Sequence, residues 1–122
     1  MSEFQIKLPH NDGFDPGAEI ACRVIWDLEE DIDWFELRLV WNTSGKGDRD
    51  LKIVKTVRLD TESSRGDQEV ALTLPWGPYS FSGKLISIIW AVELVAFPSH
   101  DSVREEFVMG PGGREVVVTN SN

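Results

Sequence analysis

Carboxylates are the residues of this sequence with the clearest chemical potential. Segment 27–33 holds five of them, and together with segments 60–67 and 97–102 it carries nine of the 21 acidic residues against one arginine. Carboxylate oxygens from adjoining loops can bind calcium, which takes roughly six to eight oxygen ligands. The candidate ligands are Asp31, Asp33 and Asp60. No Asp-x-Asp-x-Asp-Gly loop is present, so the pattern favours a solvated acidic rim over a metal site.

Nucleophilic catalysis has few suitable residues. A Ser/His/Asp set would have to combine His100 with Ser99, Ser102 or a serine of the other acidic loops, because His10 falls in a loop at the other end of an up-and-down fold. Cys22 has no histidine nearby in sequence and is expected to be a small buried hydrophobe. No nucleophile elbow, phosphate loop or zinc spacing is present. We therefore expect no enzyme activity and no cofactor.

Composition limits the partners that these residues can meet. A formal charge of −9 over 122 residues disfavours nucleic acid and anionic membranes. The 41% hydrophobic fraction and five tryptophans exclude a disordered chain. No secretory leader opens the sequence, and the one cysteine cannot form an internal disulfide, so we expect a cytoplasmic location. The length predicts one domain over residues 1–122, with its core in 3–109 and a partly extended or frayed segment 110–122.

Short alternations of apolar and polar residues, separated by turns, run along the whole chain without a helical period. This pattern is typical of an all-β fold. The predicted strands cover residues 3–8, 18–26, 33–43, 51–60, 68–74, 84–96, 103–109 and 115–119. The apolar residues of the fourth strand are Leu51, Ile53, Val57 and Leu59. Lys55 interrupts their common face, which indicates an edge strand or a bulge.

Segment 84–96 is the longest apolar run and predicts a central strand. Its β-branched residues favour a strand over a short buried helix, and it is too short for a membrane span. Its even positions form the core face: Ile86, Ile88, Trp90, Val92, Leu94 and Ala96. Seven or eight strands at this spacing predict a two-sheet antiparallel β-sandwich. In that fold the three acidic loops share one end, and the third and sixth strands lie side by side.

Two segments resemble arrestin-like domains. Residues 14–20 (FDPGAEI) are similar to the "PGE, then strand" opening of that family, and residues 78–94 (PYSFSGKLISIIWAVEL) to its "P-x-S-x-x-G, then long strand" segment. The resemblance implies an immunoglobulin-type sandwich in which Pro16 and Gly17 make a turn and Gly83 allows a close approach. Arrestin-like proteins are mostly adaptors and scaffolds without catalytic activity. They usually pair two such sandwiches, whereas this chain has length for one.

The best functional lead from the residues is an apolar outer face. Pairing of the third and sixth strands would place these residues together on the outside of one sheet: Trp34, Val40, Leu85, Ile89, Ala91 and Val95. A contiguous apolar set suggests cover by a partner protein, by a second copy in a homodimer, or by the C-terminal segment. Trp76, Tyr79 and Phe81 form an aromatic loop at the end opposite the acids, where packing is favoured over recognition.

The sequence therefore predicts a non-catalytic protein-interaction module, an adaptor or scaffold that forms a homodimer. The alternative from another class is a carbohydrate-binding or calcium-dependent sandwich, in which Trp76 and Tyr79 would stack on sugar rings. The identity of the partner is not encoded in any motif of the chain.

Overall fold

The computed structural model describes residues 3–29, 32–45, 50–61 and 63–117. Their strands are β1 (Glu3–Lys7), β2 (Glu19–Asp27), β3 (Trp34–Gly45), β4 (Leu51–Asp60), β5 (Arg65–Thr73), β6 (Phe81–Ser82), β7 (Ile86–Phe97), β8 (Ser102–Phe107) and β9 (Val116–Val117). One 3-10 turn, Pro111–Gly113, follows β8. Eight of the nine strands fall where alternation predicted a strand; β6, in the Pro/Gly-rich loop before β7, was not predicted. No helix in the described ranges is long and apolar enough to cross a membrane.

The strands form two sheets of unequal size, which confirms the predicted two-sheet β-sandwich. The smaller sheet has the order β1-β2-β5 and is antiparallel throughout. The larger has the order β4-β3-β7-β6-β9, and β8 also pairs with β7. The predicted pairing of the third and sixth predicted strands, now β3 and β7, is confirmed. It runs without a break from Trp34 opposite Phe97 to Gly45 opposite Ile86.

The core lies between the sheets and follows the two-residue period of the strands. In β2 the even positions from Ile20 to Val24 are fully buried, while the odd positions Glu19 and Arg23 are exposed. The core face of β7 is confirmed for Trp90, Val92, Leu94 and Ala96, all fully buried. The prediction is wrong for Ile86, which is 47% exposed. Burial of this apolar surface supplies the main stabilising free energy of the fold.

β4 has both features that Lys55 indicated, since it is an edge strand and its register with β3 shifts between Leu39 and Val40. Lys55 pairs with Leu39 and Ile53 with Val40, which leaves Val54 as the extra residue. An extra residue reverses the alternation of the strand. Ile53 therefore lies on the outer face of the sheet, and the predicted common face with Leu59 is wrong.

Trp90 is the largest fully buried side chain and is also hydrogen bonded. Its indole N–H donates to the Pro78 carbonyl oxygen at 2.7 Å, so the central strand holds the loop before it in place. Its ring lies 6.1 Å from that of Phe107 in β8. A buried indole N–H without an acceptor would lower the free energy of unfolding by about 1–3 kcal/mol. The bond to Pro78 avoids this cost.

Replacement of Trp90 by phenylalanine tests this anchor. We expect Trp90→Phe to lower the free energy of unfolding by about 2–4 kcal/mol, because it leaves a void and strips the Pro78 carbonyl of its donor. Trp76→Phe is the matched control, since Trp76 is 78% exposed, and should change stability by less than about 0.5 kcal/mol. Urea unfolding followed by far-ultraviolet circular dichroism gives both values. Equal losses in the two variants would contradict the anchor.

Candidate interaction surface

The three acidic loops meet at one end of the sandwich, as predicted. The backbone N–H of Asp33 donates to the Phe97 carbonyl oxygen at 2.8 Å, and that of Leu28 to the Ser64 carbonyl oxygen at 2.7 Å. The Thr61 hydroxyl donates to the Ile32 carbonyl oxygen at 2.7 Å. These hydrogen bonds hold the loops together. We call this region the acidic end.

The described carboxylates of the acidic end do not converge on a common point. Asp60 accepts a hydrogen bond from Arg58 at 3.0 Å, and Asp27 forms an ion pair with Arg65 at 3.3 Å. Asp33 is exposed, and Asp31 lies outside the described residues. Within the described ranges no group of three or more His, Cys, Asp or Glu side chains is placed to hold a metal ion.

Asp67, the last residue of segment 60–67, lies within β5. Arg23 on the neighbouring strand β2 donates to it through both Nε and Nη2, the first at 2.7 Å. This hydrogen bonding keeps the pKa of the Asp67 carboxyl below its usual value. Asp67 is therefore a neutralised position on the small sheet and adds no ligand to the acidic end.

The groups considered for catalysis are far apart. His10 stacks on Phe14 at 4.5 Å, while His100 contacts the Phe97 ring at the acidic end. The His100 ring lies 2.9 Å from the Pro98 carbonyl oxygen. Among the described residues, no serine hydroxyl or carboxylate is bonded to it. A hydrolase centred on His100 has no geometry to support it.

Cys22 is buried, as predicted, on the core side of β2. Burial raises the pKa of its thiol to about 11. At neutral pH the group is therefore a protonated thiol, and both its burial and its protonation make it a poor nucleophile.

The six residues predicted as an apolar outer face are adjacent but do not form an exposed surface. Val40 lies opposite Ala91 in the β3–β7 pairing, and both are fully buried, with Val95 at 6% exposure. Trp34 is half-buried, Leu85 is 72% exposed, and Ile89 lines a groove of about 710 Å³ that opens between the two sheets. The prediction of one continuous exposed patch is therefore wrong.

A network of charged side chains covers the middle of this face. Arg104 of β8 donates through Nη1 to Glu93 of β7 at 2.7 Å and through Nη2 to Asn42 of β3. Its side chain thus crosses β7 over Ala91, and its Nε reaches Glu106 at 3.4 Å. Bonds between charged groups are stronger than neutral ones, and the arginine stem adds apolar cover.

Trp34 is also covered, by a row of stacked groups. Its ring is parallel to that of Phe97, with centroids 5.2 Å apart and an interplanar angle of 9°. The Arg58 guanidinium lies 4.5 Å from the Trp34 ring centroid, a cation–π distance. Trp34 therefore stabilises the sheet near the acidic end and offers no free face to a partner.

The aromatic loop lies at the opposite end, as predicted. The Gly17 N–H donates to the Pro75 carbonyl oxygen at 3.2 Å, which places the loop beside the start of β2. Gly17 has φ +77°, and the Trp76 ring lies so close that a Cβ there would be 2.7 Å from it. Trp76 and Tyr79 are 78% and 38% exposed. Phe81, in β6, is half-buried and pairs with Ile88 of β7.

Exposed apolar side chains in the described residues are concentrated in the half of the sandwich farthest from the acidic loops. Leu51 and the start of β7 flank the end of β3, because Leu51 pairs with Asn42 and Ile86 with Gly45. β9 pairs with β6, which in turn pairs with β7, so β9 belongs to the same sheet. We call the whole set the apolar end: Leu51, Ile53, Val54, Trp76, Tyr79, Leu85, Ile86, Val116 and Val117.

Sequence reasoning found Leu85 and the aromatic loop but missed the rest of the apolar end. The sequence predicts a common face for Ile53 and Leu59 because the position of the bulge cannot be read from β4 alone. The alternation of β7 predicts a core position for Ile86, because the extent of the small sheet cannot be read from the sequence. The exposed edge strand itself was signalled by Lys55.

The structure, rather than the sequence, connects this chain to a known protein. Neither a protein-family model nor a curated protein matches the sequence. The fold is similar to that of Spo0M, a sporulation control protein from Bacillus subtilis, with a TM-score of 0.64 and 18% sequence identity. The similarity covers 90% of this chain and 49% of that chain, so this chain spans about half the length of its structural match. At this level of identity the likeness supports an arrestin-like fold.

Proposed function

We propose that this chain is a non-catalytic protein-interaction module, an adaptor of the cytoplasm, that associates with a second copy of itself through the apolar end. The observation that carries the proposal is that the nine large exposed apolar side chains of the described residues lie in the half of the sandwich away from the acidic loops. Scattered apolar residues on a surface need no explanation, but their concentration at one end of the sandwich favours a contact surface there.

The two ends of the molecule support a directed association. The acidic end repels a second acidic end, while the apolar ends gain free energy when they leave water together. Two copies would also supply the pair of sandwiches that arrestin-like proteins usually carry in one chain. The likeness to Spo0M, a control protein, is compatible with a regulatory adaptor.

The mass in solution tests self-association. We expect light scattering after size exclusion, at about 50 μM, to give twice the chain mass of 13.8 kDa. Leu51→Lys with Leu85→Lys should give the single-chain mass, because the two side chains are 55% and 72% exposed at the apolar end. Gln68→Lys with Ser102→Lys makes the same charge change at exposed positions nearer the acidic end and should remain dimeric. A wild-type protein of single-chain mass would refute the homodimer.

The carbohydrate-binding side of the alternative is supported by Trp76 and Tyr79, two exposed aromatics on one loop. It predicts that a bound ligand raises the melting temperature, since a ligand that binds only the folded state stabilises it. Under the adaptor proposal, millimolar calcium and a panel of soluble sugars should leave the melting temperature unchanged to within about 1 °C. A rise of several degrees that is lost in Trp76→Ala would favour sugar binding, and one that is lost with chelator would favour calcium.

A further inference from the structure

β4 forms an outer edge of the large sheet over its ten residues. It pairs with β3 on one side, and no strand of the described ranges pairs with its other side. Positions 51–56 are all exposed. An unpaired edge presents main-chain N–H and C=O groups, which an extended segment of another chain can use to add a strand.

The charge of this edge is opposite to that of the chain. β4 carries Lys52, Lys55 and Arg58 against Asp60 alone, in a protein with a formal charge of −9. Arg58 is engaged with Asp60 and with the Trp34 ring. Lys52 and Lys55 make no ion pair with any residue of the described part of the chain. Two uncompensated cations therefore stand on the exposed half of the strand.

The bulge makes one face of the exposed half of β4 apolar and the other face positively charged. Leu51 and Ile53 lie on the outer face, opposite Asn42 and Val40, and are 55% and 47% exposed. Lys52 and Lys55 lie on the core side, opposite Trp41 and Leu39, where their side chains are exposed. A strand added beside this half would meet apolar side chains on one face and ammonium groups on the other.

We propose that β4 binds an extended segment of a partner protein in which apolar and acidic residues alternate. The apolar side chains of that segment would lie beside Leu51 and Ile53, and its carboxylates beside Lys52 and Lys55. The segment would therefore compete with a second copy for the β4 part of the apolar end. The proposal rests on the interaction function above and names the chemistry of a partner other than a second copy. Pairing of β4 with the β4 of a second copy would place the lysines of both strands on the same face, where like charges repel.

Binding of a defined peptide tests this assignment. The probe is a fluorescein-labelled ten-residue peptide in which valine and glutamate alternate; one control replaces glutamate by lysine, and a second blocks alternate peptide N–H groups by N-methylation. We expect fluorescence anisotropy to show saturable binding of the glutamate peptide, weakened about tenfold or more between 50 and 300 mM salt. The N-methylated and lysine peptides should not bind.

Charge reversal locates the site. Lys52→Glu with Lys55→Glu should weaken binding of the glutamate peptide at least about tenfold and allow the lysine peptide to bind. Lys7→Glu with Lys84→Glu makes the same charge change at exposed positions outside β4 and should stay within about twofold of wild type. Amide hydrogen exchange on the wild-type protein, which needs no variant to fold, should show new protection within residues 51–57 on peptide addition.

Several results would overturn the assignment: no binding, binding that survives charge reversal in β4, or protection that maps outside β4. If the glutamate peptide does not bind and the charge-reversed protein polymerises, the lysines serve only to prevent β4 from pairing with the β4 of another copy. If the chain dimerises but ignores the peptide, the β4 assignment fails and the proposed function stands. A monomer that binds the peptide would refute the homodimer and leave the β4 assignment intact.

Discussion

The unbroken pairing of β3 with β7 is the constraint on which the rest of the structure depends. It spans each strand from end to end and fixes, residue by residue, which side chains face the core and which face outward. A slip of β7 by one residue against β3 would exchange the two faces of β7, placing Glu93 in the core and Leu94 in water. The ion-pair network on the outside and the apolar core on the inside therefore enforce the same register.

The unequal size of the two sheets accounts for the exposure of the start of β7 at the apolar end. The three strands of the small sheet cover Trp90 and Leu94 completely, yet Ile86, on the same face of β7, is nearly half exposed. Apolar residues that an equal partner sheet would have buried are thus left in contact with water. The alternation of β7 predicts a core position at Ile86, and the missing cover converts that position into part of the apolar end.

Much of the fold was predictable because its information is local. Strand alternation and turn residues identify eight of the nine strands, and the length of the apolar run identifies β7 as the central strand. β6 was not predictable in this way, because two residues in a Pro/Gly-rich loop carry no period. The pairing of β6 with β7 and β9 arises from tertiary contacts.

The interaction surface was predictable only in part because it depends on distant residues. Arg104 reaches Asn42, 62 positions earlier in the chain, on the outer face that also holds the buried Val40 and Ala91. The charges at 38, 93 and 104 occupy outward positions in their own strands, so a correct register would have revealed the network. The bulge in β4 carried a clear sequence signal in Lys55, but its side-chain consequences follow only from its position opposite Leu39 and Val40.

The distance between the two ends determines how charge acts on β4. Lys52 and Asp60 are eight residues apart in a strand, or about 26 Å. The Debye length at physiological ionic strength is about 8 Å, so the carboxylates of the acidic end are screened over roughly three such lengths. An acidic segment beside Lys52 and Lys55 therefore experiences the two ammonium groups much more strongly than the net charge of the chain. The same screening leaves the acidic end to repel other acidic surfaces only at close range, which orients an approaching partner toward the apolar end.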